Sequence, residues 1–270
     1  MRKLLLFDVD GTLVSYSGVI PESVKKGISE ARSNGCIAFV VTGRGKSHVE
    51  SHITNIGFDG FIYGNGARIE YGDQVIKDRV ITDEEITRIV DYLEDHHLEF
   101  YMEGTDGLYG SHNFIERGEI ALTQYGVKNP SVKASYPNMV FPENLYVSGI
   151  NKVNYILESN QDYLDFKEAF PEYKVMTWGG KGESAIFGDC ALEGIDKAEA
   201  IHELMDYLNI TKEDTIAFGD AEVDLPMFSC AKESVCMGEG REAAKAAATY
   251  VTTKVEDDGI YHALKHFKLI

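Results

Sequence analysis

Short apolar runs that alternate with longer amphipathic segments constrain the fold of this chain more than any other feature. The runs at 4–7, 37–41, 61–63 and 215–218 each stop at a polar residue or a glycine. The segments between the first three, at 21–34 and 46–56, are long enough to be helices. Because parallel strands are joined by helical crossovers, this order predicts an α/β fold with a doubly wound parallel sheet.

The middle of the chain has a different pattern. A hairpin is predicted at 68–80 with Gly72 and Asp73 at its turn, and Thr82 and Glu85 have the spacing of a capping box that opens a helix at 82–95. Further strands are predicted near 98–103, 107–111, 152–158, 173–178 and 184–188, and helices near 112–124 and 160–169. We therefore predict an α+β domain at 82–187, inserted into a core made of 1–81 and 188–270.

Charge and cysteine usage limit the classes of partner. The chain has 44 acidic and 26 basic residues, and its net charge of −18 disfavours binding to nucleic acid or to an anionic membrane. An anionic substrate would therefore need locally concentrated positive charge.

No stretch has the roughly 20 apolar residues of a membrane span. Four scattered cysteines without a C-x-x-C pair indicate reduced thiols, and a cytoplasmic location is predicted. The oligomeric state is not predicted.

Three of the apolar runs lead directly into reactive side chains. Asp8 and Asp10 follow the first, Thr42 follows the second, and Asp220 follows the run at 215–218. Each has an ordinary structural alternative, since Asp-Gly pairs form turns and Thr or Asp caps helices. If the three strands are neighbours in one parallel sheet, however, their carboxyl ends bring these side chains to one edge, where α/β proteins bind ligands.

Two further residues complete this set. Asp224 lies four positions beyond Asp220, and Lys197 stands at the start of a predicted helix. The positive end of the helix dipole disfavours a cation there, so a nearby anion would explain the lysine. Clustered carboxylates repel one another, and Mg²⁺, which prefers oxygen ligands, would relieve that repulsion. Such a set suits phosphoryl transfer, with Asp8 as nucleophile, Asp10 as acid and base, and fixed donors on the phosphate oxygens.

The same residues resemble those of a known family. The motifs Asp8-Val9-Asp10-Gly11-Thr12-Leu13, Val41-Thr42-Gly43-Arg44, Lys197, and Gly219-Asp220 with Asp224 occur in the order found in haloacid dehalogenase-superfamily phosphatases of the Cof type. Asn65-Gly66-Ala67 is similar to an element of that branch. The resemblance implies a Rossmann-like core, with the insert as a cap domain of the C2B type that closes over the site.

The resemblance also implies a role for each matching residue. Asp8 would be the nucleophile and a metal ligand, while Asp10 would be the acid and base and give its backbone carbonyl to Mg²⁺. Asp220 would be a direct metal ligand, with Asp224 supporting the metal shell or Lys197. Phosphate binding is expected of Thr42, Gly43 and Lys197, and supporting contacts of Arg44 and Asn65. One departure is Val223, where the family usually has Asn.

The predicted function is Mg²⁺-dependent hydrolysis of a small phosphomonoester, such as a sugar phosphate or a related metabolite, through an aspartyl-phosphate. A phosphomutase of the same superfamily is one alternative. A non-catalytic metabolite-binding protein is another, supported only by Val223. His48 and His52 have the helical i,i+4 spacing that can bind zinc, but no third ligand is evident, so both are interpreted as surface residues.

Overall fold

Two β-sheets organise the chain in the computed structural model, which describes residues 2–180 and 182–270. The chain divides into two units. The first contains the residues up to Gly43 together with Glu50–Asp78 and Asp196–Ile270. The second contains Arg44–Val49 and Arg79–Ile195.

Fourteen strands and ten α-helices are found in the described residues. The strands are β1 Leu4–Phe7, β2 Ile37–Val41, β3 Gly60–Tyr63, β4 Arg68–Tyr71, β5 Gln74–Asp78, β6 Phe100–Gly104, β7 Leu108–Gly110, β8 Met139–Val140, β9 Ile150–Ile156, β10 Tyr173–Trp178, β11 Phe187–Leu192, β12 Thr215–Gly219, β13 Glu233–Cys236 and β14 Tyr250–Val251. The helices are α1 Glu22–Ser33, α2 Ser51–Thr54, α3 Asp83–Asp95, α4 Phe114–Gln124, α5 Val132–Ser135, α6 Asn160–Ala169, α7 Lys197–Leu208, α8 Leu225–Cys230, α9 Glu242–Ala247 and α10 Gly259–His266.

The first unit is built on an eight-stranded sheet with the order β14-β13-β12-β1-β2-β3-β4-β5. The strands from β14 to β3 are parallel, and β4 and β5 add an antiparallel edge. Strand β1 is wholly buried between β12 and β2. The predicted α/β fold with a doubly wound parallel sheet is therefore confirmed, and the three strands expected to carry reactive side chains are neighbours.

Alternation along the central strands directs side chains to the two faces of this sheet. Leu4 and Leu6 pack in one core cluster with Ile201 and Leu204 of α7. Their neighbours Leu5 and Phe7 are equally buried and point to the opposite face, as the two-residue period of a strand requires. Burial on both faces explains why these strands appear in the sequence as continuous apolar runs.

The second unit has a six-stranded sheet with the order β10-β11-β9-β6-β7-β8, antiparallel except for the β7–β8 pair. Both of its faces carry an apolar cluster. Phe100 and Met102 of β6 pack in a cluster with residues of α3 and α6. Tyr101, which lies between them, packs in a second cluster with residues of α4 and α5. This unit is α+β in composition.

Two predicted elements were wrong. Strand β11 begins at Phe187 instead of 184 and pairs with both β9 and β10. The single helix predicted at 46–56 is instead a 3-10 turn at Lys46–His48 followed by α2, with extended backbone at Glu50. Its first part, Arg44–Val49, belongs to the second unit, and its second part, from Glu50, belongs to the first. None of the helices in the described residues could cross a membrane.

Candidate active site

The carboxyl ends of three adjacent strands form the frame of the site. The backbone N–H of Asp8 donates to the Phe218 carbonyl at 3.0 Å, which joins the end of β1 to that of β12. On the other side, the N–H of Thr42 donates to the Ile62 carbonyl at 2.9 Å, where β2 meets β3. Parallel pairing in register thus brings residues that are far apart in sequence to one edge of the sheet.

Three aspartates form a compact cluster at this edge. Asp8, Asp220 and Asp224 are all buried, and one carboxylate oxygen of each lies within 4.8 Å of the others. Hard oxygen ligands of this kind suit Mg²⁺. The predicted metal set was Asp8, Asp10 and Asp220. The carboxylate found in the cluster is that of Asp224, while Asp10 is exposed. A metal contact through the Asp10 backbone carbonyl stays a prediction.

Lys197 bridges two of these carboxylates. Its Nζ lies 3.1 Å from Asp8 Oδ1 and 3.1 Å from Asp224 Oδ1, and the side chain is only 5% exposed. The helix that begins with Lys197 is capped by Asp196, whose side chain accepts the N–H groups of Ala198 and Glu199. The anion expected beside this lysine from its position at a helix start is therefore present.

Burial is the main cause of the raised pKa values of two aspartates in this cluster. Burial raises the pKa of Asp8 to about 8, with Asp224 and Asp10 adding to the rise and Lys197 opposing it. Burial likewise raises the pKa of Asp220 to about 6. Burial acts to lower the pKa of Lys197, but Asp8 and Asp224 outweigh it, so the pKa is raised. A divalent cation among these carboxylates would favour their ionised forms and so lower both pKa values.

Asp224 also holds the loop that follows β12. Its Oδ2 accepts the backbone N–H groups of Asp220 at 3.0 Å and Ala221 at 3.2 Å. Glycine is needed opposite the two acidic side chains: a Cβ on Gly219 would lie 2.6 Å from Asp224 Cβ, and one on Gly11 would lie 2.5 Å from Asp220 Oδ2. The two glycines of the motifs therefore make room for the two carboxylates.

A second group of predicted residues lies at the ends of β2 and β3. Thr42 is buried, and its carbonyl accepts the N–H of Asn65 at 2.9 Å. The Asn65 side chain lies against Gly43, since a Cβ there would be 3.1 Å from Asn65 Oδ1. Gly66 packs on the start of α7, where its Cβ would lie 2.7 Å from the Asp196 carbonyl. This turn connects the end of β3 to the helix that carries Lys197.

The remaining predicted residue, Arg44, belongs to the second unit, so the structure does not group it with the others. Val223, which stands where the family usually has Asn, is 66% exposed. The zinc alternative is not supported, because His48 and His52 are not on one helix. His48 ends a 3-10 turn against the Tyr136 ring, and His52 lies 3.1 Å from Glu50.

Sequence reasoning missed two residues that contact Asp220. The Tyr16 hydroxyl donates to Asp220 Oδ2 at 2.6 Å, although the tyrosine side chain is largely exposed. The backbone N–H of Arg241 donates to the Asp220 carbonyl at 2.7 Å, and its guanidinium opposes the rise in the pKa of Asp220. The Tyr16 bond spans 204 positions and starts from a loop with no recognisable pattern, so the sequence carried no signal for it.

Comparisons with known proteins agree with this geometry. The family model for haloacid dehalogenase-like hydrolases matches residues 5–264. The Bacillus subtilis (strain 168) protein named "Putative phosphatase YkrA" is 28% identical over 271 residues, covering 99% of this chain and 98% of that protein. The "5-amino-6-(5-phospho-D-ribitylamino)uracil phosphatase YcsE" of the same organism is 24% identical over 269 residues, covering 99% and 96%. Among solved structures, the "HAD Subclass IIB Sugar Phosphatase BT4131" has a TM-score of 0.75 and 26% identity, covering 99% of this chain and 100% of the other.

Proposed function

The chain belongs to the haloacid dehalogenase-like hydrolase family and is a phosphoric monoester hydrolase, and we propose that it hydrolyses a small phosphomonoester with Mg²⁺ through an aspartyl-phosphate on Asp8. The observation that carries this proposal is the arrangement of Lys197 between Asp8 and Asp224, beside Asp220. It supplies a buried carboxylate nucleophile, a fixed cation and an oxygen-rich metal site in one place.

Asp8, Asp220 and Asp224, with the Asp10 carbonyl, would hold the metal ion. When bound, Mg²⁺ would offset the negative charge of these carboxylates and of the substrate phosphate. The Asp8 carboxylate then attacks phosphorus, and the bond from phosphorus to the leaving oxygen breaks as Asp10 donates a proton to that oxygen. In the second step Asp10 takes a proton from water, which attacks the phosphorus, frees Asp8 and releases inorganic phosphate.

Lys197, Thr42 and the backbone of Gly43 would bind the phosphate oxygens. Fixed donors of this kind stabilise the charge on the transferred group, and they account for most of the catalysis in phosphoryl transfer. We propose supporting roles for Asn65, which packs on Gly43, and for Arg44. The raised pKa of Lys197 keeps its ammonium protonated for this task.

We propose a sugar phosphate or a related phosphorylated metabolite of the cytoplasm as the substrate. Two similar proteins support this class, since one is named a sugar phosphatase and the other acts on a phosphorylated ribityl compound. The net charge of −18 makes large polyanions unfavourable substrates and leaves phosphate recognition to the few cations at the site.

Hydrolysis of p-nitrophenyl phosphate tests the proposal. The protein should release phosphate with Mg²⁺ and stop when EDTA is added. Asp8→Asn should abolish release, while Asp73→Asn, in the β4–β5 turn, should match the unmodified protein. Normal release by Asp8→Asn would remove Asp8 from the nucleophile role. Weak release that rises only with a sugar bisphosphate would favour the phosphomutase alternative.

A further inference from the structure

Tyr16 is an exposed residue whose side chain reaches a buried one within the first unit. It is 65% exposed, yet its hydroxyl donates to Oδ2 of Asp220, which is only 2% exposed, at 2.6 Å. A side chain loses conformational freedom when it is held in such a bond, and an exposed hydroxyl could bind water at little loss instead. The bond therefore implies that the surrounding structure holds Tyr16 in place.

The turn that contains Tyr16 is held on both sides of the tyrosine. The hydroxyls of Ser15 and Ser17 both donate to Oε1 of Glu256, the first of them at 2.9 Å. The turn is also closed by its own backbone, since the Ser15 N–H donates to the Val19 carbonyl at 2.9 Å and the Val19 N–H donates to Ser15 Oγ at 3.1 Å. Because both neighbours of the tyrosine are held, the main chain from which its ring extends is fixed.

The carboxylate of Asp220 has a freedom that its backbone lacks. The backbone is held at both polar groups, because the N–H donates to Asp224 Oδ2 at 3.0 Å and the carbonyl accepts the Arg241 N–H at 2.7 Å. These two bonds leave the carboxylate able to rotate about the bond that joins it to Cβ. The Tyr16 hydroxyl fixes Oδ2, and thereby also fixes the direction of Oδ1.

The direction of this carboxylate matters because Asp220 belongs to the cluster with Asp8 and Asp224. Like charges repel, so a carboxylate in such a cluster tends to turn away from its neighbours when no cation is bound. A hydrogen bond from a neutral hydroxyl opposes this rotation without adding charge. Groups that orient a metal ligand in this way typically change metal affinity or activity by about 10- to 100-fold when they are removed.

We propose that Tyr16 is a positioning residue whose hydroxyl orients the Asp220 carboxylate for metal binding, and that Glu256 holds the turn that carries it. The inference rests on the proposed function, because it takes Asp220 as a ligand of Mg²⁺. The tyrosine acts through Asp220 and has no contact with the transferred group in this role. All of these residues belong to the first unit.

Two variants test the two parts of this arrangement. Tyr16→Phe removes the hydroxyl and keeps the ring, so the change is confined to the bond with Asp220. Glu256→Ala releases the turn from an exposed position, where truncation leaves the core intact. The matched control is Tyr207→Phe, because Tyr207 is 50% exposed and its hydroxyl donates to Gln74 Oε1, near the C-terminal end of α7 in the same unit.

The Kd of Mg²⁺ is measured without substrate, from the dependence of the melting temperature on Mg²⁺ concentration. The kcat/KM for p-nitrophenyl phosphate is measured over the same Mg²⁺ concentrations. Tyr16→Phe should raise the Kd by about 10-fold or more, and it should lower kcat/KM at low Mg²⁺ but much less at saturating Mg²⁺. Glu256→Ala should raise the Kd as well, without a further rise in the double variant, because both changes act through one contact. Tyr207→Phe should leave both quantities unchanged.

An unchanged Kd in Tyr16→Phe would overturn the positioning role, and so would a loss of kcat/KM that no Mg²⁺ concentration restores. Effects of Tyr16→Phe and Glu256→Ala that simply add would overturn the part given to Glu256. If the unmodified protein neither bound Mg²⁺ nor hydrolysed the substrate, the proposed function itself would have failed. Normal Mg²⁺ binding in both the unmodified protein and Tyr16→Phe would leave the proposed function standing, so the two failures are distinguishable.

Discussion

Lys197 places one ammonium group between two buried carboxylates, and its removal should be costly in two ways. In Lys197→Met, Asp8 and Asp224 keep their burial and lose their shared cation. We expect the free energy of unfolding to fall by about 3–5 kcal/mol, the cost of breaking a buried ion pair on one side. We also expect kcat/KM to fall by about 100-fold or more, because a fixed donor to the transferred group is lost. Urea unfolding and steady-state kinetics measure the two effects.

Lys245→Met is the control for this variant. Lys245 pairs with Glu242 at 3.2 Å, and because the Glu242 side chain is almost fully exposed this ion pair contributes little. Both its stability and its activity should stay close to those of the unmodified protein. If Lys197→Met kept normal activity, Lys197 would have no part in binding the transferred group.

The predictability of individual residues follows from where their partners lie. Asp8, Thr42 and Asp220 could be expected at one edge, because each directly follows an apolar run and the three strands are adjacent. Asp224 lies in the cluster because the loop after β12 folds back so that its side chain accepts the Asp220 N–H, and the sequence does not show how this loop folds. Tyr16 could not be predicted, since its bond to Asp220 joins two loops across the chain.

The turn after β3 positions α7 and therefore Lys197, and Gly66→Ala tests this connection. Gly66 has a φ of +109°, and an added Cβ would lie 2.7 Å from the Asp196 carbonyl and 2.8 Å from Ala200 Cβ. The methyl group should push the start of α7 away, so we expect both thermal stability and kcat/KM to fall. Calorimetry and p-nitrophenyl phosphate kinetics provide the readouts.

Gly35→Ala separates the steric effect from the conformational one. Gly35 has a φ of +91° after α1, but a Cβ there would meet nothing within 4 Å. Gly35→Ala should therefore lower the free energy of unfolding by only about 1–2 kcal/mol, because alanine disfavours this backbone conformation. Gly66→Ala should exceed this by about 1–3 kcal/mol, the usual cost of overpacking, and only Gly66→Ala should reduce kcat/KM. If the two variants had equal effects on the free energy of unfolding and on kcat/KM, the turn after β3 would not position α7.

Elements were predictable where a local pattern determines them. The parallel strands of the first unit are continuous apolar runs because both of their faces are covered. The capping box of Thr82 and Glu85 is present as its spacing predicts. The helix expected at 46–56 was wrong because Gly45 and Ser47 bind residues near 103–107, and no local pattern shows such a contact. Strand β11 was misplaced because Gly188 and Asp189 weaken its apolar alternation.

For the protein as a whole, net charge and metal binding are connected. The chain carries a net charge of −18, and three buried aspartates in the first unit add local repulsion. Mg²⁺ should therefore raise the free energy of unfolding, by about 2.7 kcal/mol at a concentration 100 times its Kd. Thermal unfolding in EDTA and with increasing Mg²⁺ measures the rise. Asp8→Asn should reduce the rise, and Asp73→Asn should not. An identical rise in Asp8→Asn would place the metal elsewhere.

Covalent capture of the transferred phosphoryl group tests the central claim most directly. The protein is mixed with a radiolabelled phosphomonoester and Mg²⁺, stopped with acid during turnover, and digested. We predict that the label is bound to the peptide containing Asp8, and that it is absent from Asp8→Asn and from samples with EDTA. Phosphate release without any protein-bound label, or a label on another residue, would contradict the account.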